Sequence, residues 1–356
     1  MSAAREHSSE RLEPGTLLHV AAAQILGAKL RAVEQRLAKL EEGARAGEVE
    51  ADDVHQTRVA VRRATAVLRT FAPCVRDIRL LRRVKKRLRS LRQVIGAARS
   101  CDVSAAILGH DYQSGEGAGR EQLAQLIRTL KRRRKRSMKK LAELVEDVPA
   151  RKLAAAREKL VGSIGAVSGP ASTLARGAPT MTMGDAATIS LRRLVSELRL
   201  LGSGPLSQAA PLHELRLGAK RLRYTLEIFA PCFDAARLDD VMSLMVRMQD
   251  RLGAANDLAE LVGVVDGSLE KAWDAPSREL DALLSLRAGY HQRCEEAQSE
   301  FERWWRLSGE AELVGAFERL LHPEARFGPV TIAHAARNGS GSSGPAGLRG
   351  SAGAAR

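Results

Sequence analysis

Apolar residues recur every three or four positions along most of the chain, which is the spacing of one buried face on an α-helix. The clearest example is the stripe formed by Val54, Val61, Leu68 and Phe71. No stretch alternates strictly between apolar and polar residues, so the pattern predicts an all-α fold. The predicted helices cover residues 17–40, 54–71, 75–95, 121–145, 151–162, 185–201, 212–229, 237–252, 259–269, 277–307 and 310–321.

Glycine-containing segments separate several of these helices. Gly96–Asp102 and Gly253–Asp257 resemble each other and are predicted to be turns that end the helices before them. Asp111–Gly119 is predicted to be a loop for the same reason.

Three further segments lack the composition needed to bury a core. Residues 1–14 are polar and charged, whereas residues 165–184 and 326–356 are rich in small residues. We predict a leader, a linker and a disordered tail there. The remaining chain divides into two helical halves, residues 15–164 and 185–325.

One stretch of the sequence occurs twice. His55–Cys74 recurs as His213–Cys232 at a constant offset of 158 positions, without a gap. Both copies have an arginine three positions after the histidine, then two adjacent basic residues, and both close on Phe-Ala-Pro-Cys. So many matches at one offset indicate an internal duplication.

Each copy, placed on a helix, separates into an apolar side and a basic side. The basic sides consist of His55, Arg58, Arg62 and Arg69 in the first copy, and of His213, Arg216, Lys220 and Arg223 in the second. The helix that follows the first copy adds Arg82, Lys85, Arg89 and Arg92 on one side. Its counterpart in the second half is diluted by acids, so the two halves differ in charge.

The charge balance indicates a polyanionic partner. The 57 Lys and Arg residues exceed the 42 Asp and Glu residues, which gives a net charge of +15. Nucleic acid is one candidate. Aromatic residues for base stacking make up only 3% of the chain, and no DNA- or RNA-recognition motif is present, which disfavours that alternative.

The duplicated His-x-x-Arg-x-x-x-(Arg/Lys)-Arg helix, followed each time by a second helix and a Leu/Ile-Gly pair, resembles the CHAD family, the conserved histidine α-helical domains. The resemblance covers residues 15 to 325. It implies two antiparallel helical bundles related by pseudo-two-fold symmetry around a basic central cavity. It also implies inorganic polyphosphate as the bound polyanion and polyphosphate granules as a possible destination.

The resemblance and the basic sides together identify a set of candidate ligand-binding residues. Arginine is well suited to this role because its planar fork matches two phosphate oxygens and stays charged. Each histidine either donates a hydrogen bond to phosphate or braces its helix against a neighbouring loop. The predicted polyphosphate-binding residues are His55, Arg58, Arg62, Arg63, Arg82, Lys85, Arg89, Arg92, His213, Arg216, Lys220, Arg221 and Arg223.

The sequence favours a binding protein over an enzyme. There is no Gly-x-x-x-x-Gly-Lys-Ser/Thr loop, and we find no Glu-x-Glu-x-Lys strand of the triphosphate-tunnel enzymes that are often fused to CHAD domains. Neither motif histidine has a metal-binding partner three or four positions on. We therefore predict no catalysis, no cofactor and no metal site, and we expect the four cysteines to be reduced thiols.

Lys131–Arg136 is a run of six consecutive basic residues. It is typical either of nucleic-acid or nuclear-signal sequences or of a solvated helix in which one or two residues face a cavity. Consecutive residues point all around a helix, which favours the second interpretation.

The chain offers no sequence feature for membrane insertion or export. Residues 1–14 contain no apolar core for a secretion signal, and no apolar run approaches the ~18 residues of a membrane span. We predict a cytoplasmic protein with no membrane partner, and the family resemblance implies association with polyphosphate granules.

Overall fold

A computed structural model describes residues 11–46, 50–114, 117–147, 149–165, 180–272 and 277–322. Nearly all of these residues are helical. Two isolated β-bridges occur in the described ranges, which contain no β-strand, so the all-α prediction is confirmed. Part of the predicted leader, most of the predicted linker and the predicted tail lie outside the described residues.

The described residues form ten α-helices. In chain order these are α1 (Leu18–Ala46), α2 (Ala51–Thr70), α3 (Ile78–Ser114), α4 (Gly117–Asp147), α5 (Ala150–Gly162), α6 (Met183–Gly202), α7 (Ala209–Phe229), α8 (Ala235–Leu269), α9 (Ser277–Trp304) and α10 (Glu310–Leu321). Short 3₁₀ turns, Ala72–Cys74 and Ala230–Cys232, follow the repeated helices α2 and α7. A π-helical turn, Trp305–Gly309, separates α9 from α10.

The predictions of turns at Gly96–Asp102 and Gly253–Asp257 are wrong, because α3 and α8 run straight through both segments. A single glycine costs a helix only about 1 kcal/mol relative to alanine. On α3 the buried side chains of Ile95, Ala98 and Cys101 continue the apolar stripe past the glycine. Packing along that stripe therefore outweighs the local preference for a turn.

Helix pairing places the two motif helices close to each other. In the first half α1 packs against α2 and α5, and in the second half α6 packs against α7. The long helices α3 and α4 pack together, as do α8 and α9. Contacts between α2 and α7, between α3 and α8, and between α4 and α9 join the two halves.

Three hydrophobic clusters hold these helices together. The first is built mainly from α1, α2, α3 and α5, but it also includes Phe229 from the second half. The second is built from α6, α7 and α8 with the C-terminal helices, where Trp305 is fully buried and donates its Nε1 hydrogen to the backbone oxygen of Gly202 at 3.1 Å. The third is shared by α3, α4, α8 and α9. Apolar packing therefore crosses between the halves.

Candidate functional site

Helices α2, α3 and α7 enclose a cavity of about 500 Å³, here called the basic cavity. Its lining residues are Arg62, Thr65, Arg69, Arg92, Glu214, Arg216, Leu217, Lys220, Arg221 and Tyr224. Six of these ten residues are cationic and only Glu214 is acidic. The two copies of the repeat thus supply opposite walls of one site.

The helical repeat explains why these cations face inward together. Arg62 and Arg69 lie seven positions apart on α2, which is close to two full turns. Val61 and Leu68, their immediate neighbours, are buried in the first cluster and fix the orientation of the helix. The apolar side of each motif helix therefore anchors it, and its basic side turns toward the cavity.

The cations in the basic cavity repel one another. Burial, followed by the charges of Arg216, Arg62 and Arg58, lowers the pKa of Lys220 to about 7. Burial, followed by Arg62 and Arg99, likewise lowers the pKa of Arg58 to about 10. Low pKa values for bases mean that their positive charge is poorly compensated by the protein.

The pKa values of the neighbouring arginines shift in the same direction. Burial lowers the pKa of Arg216, although Asp257 and Glu260 oppose the shift. Burial lowers the pKa of Arg69 as well, and the charges of Arg221 and Arg92 add to that effect. An anion that entered the cavity would relieve this repulsion.

Two arginines in the cavity also keep unused hydrogen-bond donors. The Nε atoms of Arg216 and Arg221 are buried and have no hydrogen-bond partner among the described residues. At the other end of its guanidinium, Arg221 binds Glu197 with an N–O distance of 2.8 Å. Buried donors without partners are costly, so an acceptor in the cavity would stabilise them.

The sign of the charge is reversed at one position of the repeat, where Arg69 in the first copy corresponds to Glu227 in the second at the offset of 158. Glu227 forms ion pairs with Arg63 at 3.2 Å and with Arg223 at 3.1 Å. Arg221 is the repeat equivalent of Arg63, and the group that it faces across the cavity is Arg69. Arg63 therefore has its ion-pair partner in the other repeat, whereas Arg221 pairs with Glu197 and meets a like charge, Arg69, from the other repeat.

Two further cavities continue the basic cavity along α7. One of about 680 Å³ shares Arg69 and Arg221 with it and adds Arg193. The other, of about 910 Å³, shares Glu214 and Arg216 and has mostly apolar walls. The shared residues show that the three cavities are neighbours.

The structure distributes the predicted site residues unevenly. Those that line the basic cavity are Arg62, Arg92, Arg216, Lys220 and Arg221. Arg58 lies beside it, close enough to lower the pKa of Lys220, but its Nη1 donates to the backbone oxygen of Gly96 at 3.4 Å. Lys85 is half-buried near Arg69, whose charge lowers its pKa after the larger effect of burial.

The other predicted residues lie elsewhere. Arg63 and Arg223 belong to the ion-pair network of Glu227. The side chains of Arg82, Arg89 and His55 are exposed and line none of these three cavities. His213 lines the apolar-walled neighbour of the basic cavity.

Some lining residues were absent from the predicted set. Arg69 has the helical spacing of the basic side, and that spacing could have identified it. Thr65, Leu217 and Tyr224 have no charge to distinguish them, and only the packing of α2 against α7 brings them to the cavity.

Other features of the described residues bear on metal and membrane partners. No three His, Cys, Asp or Glu side chains of the described part converge as a possible set of metal ligands. The four cysteines are buried free thiols, and burial raises the pKa of Cys74 to about 11. Within the same ranges no helix is both long and apolar enough to cross a membrane.

Comparison with known proteins places the chain among its relatives. It superposes on the crystal structure of the CHAD domain from the plant Ricinus communis with a TM-score of 0.57 and 19% identity, covering 87% of this chain and 95% of that chain. It superposes on PptA from Streptomyces chartreusis with a TM-score of 0.62 and 17% identity, covering 82% and 100%. Both similarities concern the fold. The sequence model described as CHAD domain matches residues 28–266, and the chain therefore belongs to the CHAD domain family.

Proposed function

We propose that this chain binds inorganic polyphosphate in the basic cavity. The observation that supports the proposal most directly is the excess of positive charge there, with six cationic side chains and one acidic side chain around about 500 Å³. Each phosphate unit of the polymer would supply one of the missing negative charges. The buried Nε donors of Arg216 and Arg221 would supply hydrogen bonds to its oxygens.

The shape of the site favours a chain over a single phosphate. The basic cavity shares Arg69 and Arg221 with the neighbouring cavity that contains Arg193, so successive phosphates of one chain could occupy both cavities. A polymer that occupies several subsites gains effective concentration from each contact already made. Binding of this kind would also recruit the protein to polyphosphate granules.

The proposed activity is binding without cleavage. Two of the acids nearest the cavity are engaged by the protein itself, since Glu197 pairs with Arg221 and Glu260 accepts a hydrogen bond from Asn256 at 3.0 Å. Asp257 faces Arg216 and Lys220, and burial raises its pKa. These carboxylates serve as internal counterions near the cations.

A competition experiment tests the proposal. Labelled long-chain polyphosphate is bound at physiological salt and challenged with unlabelled polyphosphate, tRNA or duplex DNA at equal phosphate concentration. We expect only polyphosphate to displace the label efficiently. Equal displacement by tRNA or DNA would favour the nucleic-acid alternative.

The same samples test for cleavage. Incubation with polyphosphate and either Mg²⁺ or Mn²⁺ should release no orthophosphate above the level of an Arg62→Gln/Lys220→Gln control. Release that depends on those two residues would show that the protein is an enzyme.

A further inference from the structure

A second basic cavity lies away from the first, between α4, the end of α8 and the start of α9, and is here called the distal cavity. Its volume is about 400 Å³, within the range of small-molecule sites. Its lining residues are Gln122, Gln125, Leu126, Thr129, Arg132, Arg133, Arg136, Ser268, Lys271, Ala272, Glu279 and Leu283. None of them lines the basic cavity.

The six-residue basic run on α4 supplies most of the charge. Arg132, Arg133 and Arg136 fall within an arc of about 100° on the helix and line the distal cavity together. Lys135 is exposed on another side, and Arg134 is paired with Asp102 on α3 at 2.6 Å. Three residues of the run thus face a cavity, where the sequence led us to expect one or two.

In the part of the chain that the structure describes, these charges have no ion-pair partner. Among the described residues no carboxylate forms an ion pair with the three cavity-lining arginines, nor with Lys271 on the opposite wall. Glu279, the one acidic lining residue, is exposed. By contrast, Arg293, further along α9, forms an ion pair with Asp111 at 2.7 Å. Arg132, Arg136 and Lys271 are exposed at the rim of the cavity, and Arg133 is half-buried, so the unpaired cations converge on one cavity.

The cavity walls are held in place by the third hydrophobic cluster. Leu126 and Leu130 anchor α4 there, beside Leu283 from α9. The amide side chain of Gln122 is 95% buried at the wall, since its exposed fraction is 5%, and it offers further polar atoms. This packing fixes the backbone of α4 that carries the three arginines, which limits the conformational entropy lost when a ligand binds.

We propose that the distal cavity is a second phosphate-binding site, which holds a segment of an inorganic phosphate chain. Lys271 and the three arginines would surround the chain from α4 and from the end of α8, and the neutral amides and hydroxyls would contact its remaining oxygens. The identity of the ligand rests on the proposed function, whereas the charge and shape of the cavity do not. A long chain could occupy both cavities, and a short one would fill each separately.

Isothermal titration with inorganic triphosphate tests the second site, because this probe is short enough to occupy one cavity at a time. The wild-type chain should bind two molecules. The distal variant, Arg132→Gln/Arg133→Gln/Arg136→Gln, should bind one, with the lost site weakened by about tenfold or more. Its circular dichroism spectrum should match that of the wild type.

A matched variant controls for net charge. Lys131→Gln/Lys135→Gln/Lys139→Gln removes three charges from exposed positions of the same helix and should keep both sites. If the distal variant binds triphosphate with the same stoichiometry and affinity as this control, the proposal is overturned. Lys271→Gln on the opposite wall decides the matter if the distal variant fails to fold: the second site must weaken, and an unchanged second site refutes the proposal.

The two proposals can fail separately. Arg62→Gln/Lys220→Gln should remove the site in the basic cavity and leave the distal one. If this variant keeps both sites while the distal variant loses one, the proposed function of the basic cavity fails and the distal site stands.

Discussion

Phe71 and Phe229 hold equivalent positions in the two repeats, and their rings pack edge to face with centroids 6.1 Å apart and an interplanar angle of 73°. Both side chains are fully buried. A two-fold axis between the repeats would place equivalent residues beside it in contact with each other, as Phe71 and Phe229 are. This contact brings α2 and α7 together beside the basic cavity.

The aromatic contact should contribute to stability from both halves. Phe71→Ala and Phe229→Ala should each lower the free energy of unfolding by about 3 to 5 kcal/mol, because each leaves a cavity in the core. The double variant should lose less than the sum, by about 0.5 to 1.5 kcal/mol, since the ring contact can be lost only once. Urea denaturation of the four proteins measures this coupling, and strict additivity would contradict it.

Arg69→Glu introduces a carboxylate at the position equivalent to Glu227, which forms an ion pair with Arg63. The new carboxylate would face Arg221, so we expect stability to rise by up to about 1 kcal/mol. Polyphosphate affinity should fall, because a cation of the cavity is replaced by a carboxylate. Thermal melting and binding are measured on the same preparation. Glu227→Gln, which breaks the existing pair away from the cavity, is the control and should affect affinity less.

The stability of the protein should increase with pH between 7 and 9 because of Lys220. Its pKa is about 7 in the folded protein and 10.5 in the unfolded chain. Below pH 7 both states are protonated, and the destabilisation by the buried charge is fully present. Between these pKa values the unfolded chain binds more protons, so the free energy of unfolding rises with pH.

Urea denaturation at pH 7 and pH 9 measures this dependence. With allowance for solvent screening we expect a gain of about 1 kcal/mol. Lys220→Met should abolish most of the gain, whereas Lys139→Met, at an exposed position, should retain it. An equal gain in all three proteins would assign the effect to other groups.

Polyphosphate binding at pH 8 should be accompanied by proton uptake. The bound polyanion favours the charged form of Lys220, whose amine is largely neutral at that pH in the free protein. Titration calorimetry in buffers of different ionisation enthalpy should report up to about one proton per bound chain. Lys220→Met should remove this uptake, and an unchanged uptake would exclude the lysine as its source.

Affinity for polyphosphate should fall steeply as salt rises, by analogy with counterion release from nucleic acids. Each phosphate contact that a variant loses should make the slope of log K against log salt shallower by roughly 0.7. Arg62→Gln/Lys220→Gln should therefore flatten the slope by about 1.4. Replacement of the exposed Arg82 and Arg89 by Gln removes the same charge and should change the slope less. Equal slopes for the two double variants would place the ligand outside the basic cavity.

The sequence determined the features that depend on residues close together in the chain. Helical periodicity is a local property, so the spacing of Val61 and Leu68 was enough to predict a helix with one buried side. The matches at an offset of 158 positions revealed the duplication, and the motif at His55 and His213 indicated the family. The basic side of each motif helix followed from the same periodicity.

Only the tertiary structure decided which charges meet. Arg63 and Arg221 are equivalent in sequence, yet one binds Glu227 and the other lines the basic cavity opposite Arg69. Arg63 binds a carboxylate 164 positions away, whereas Arg221 pairs with Glu197 on α6. No local pattern records which helices come together. The continuity of α3 past Gly96 was likewise decided by long-range packing, because the apolar contacts along the whole helix outweigh the preference of a few residues for a turn.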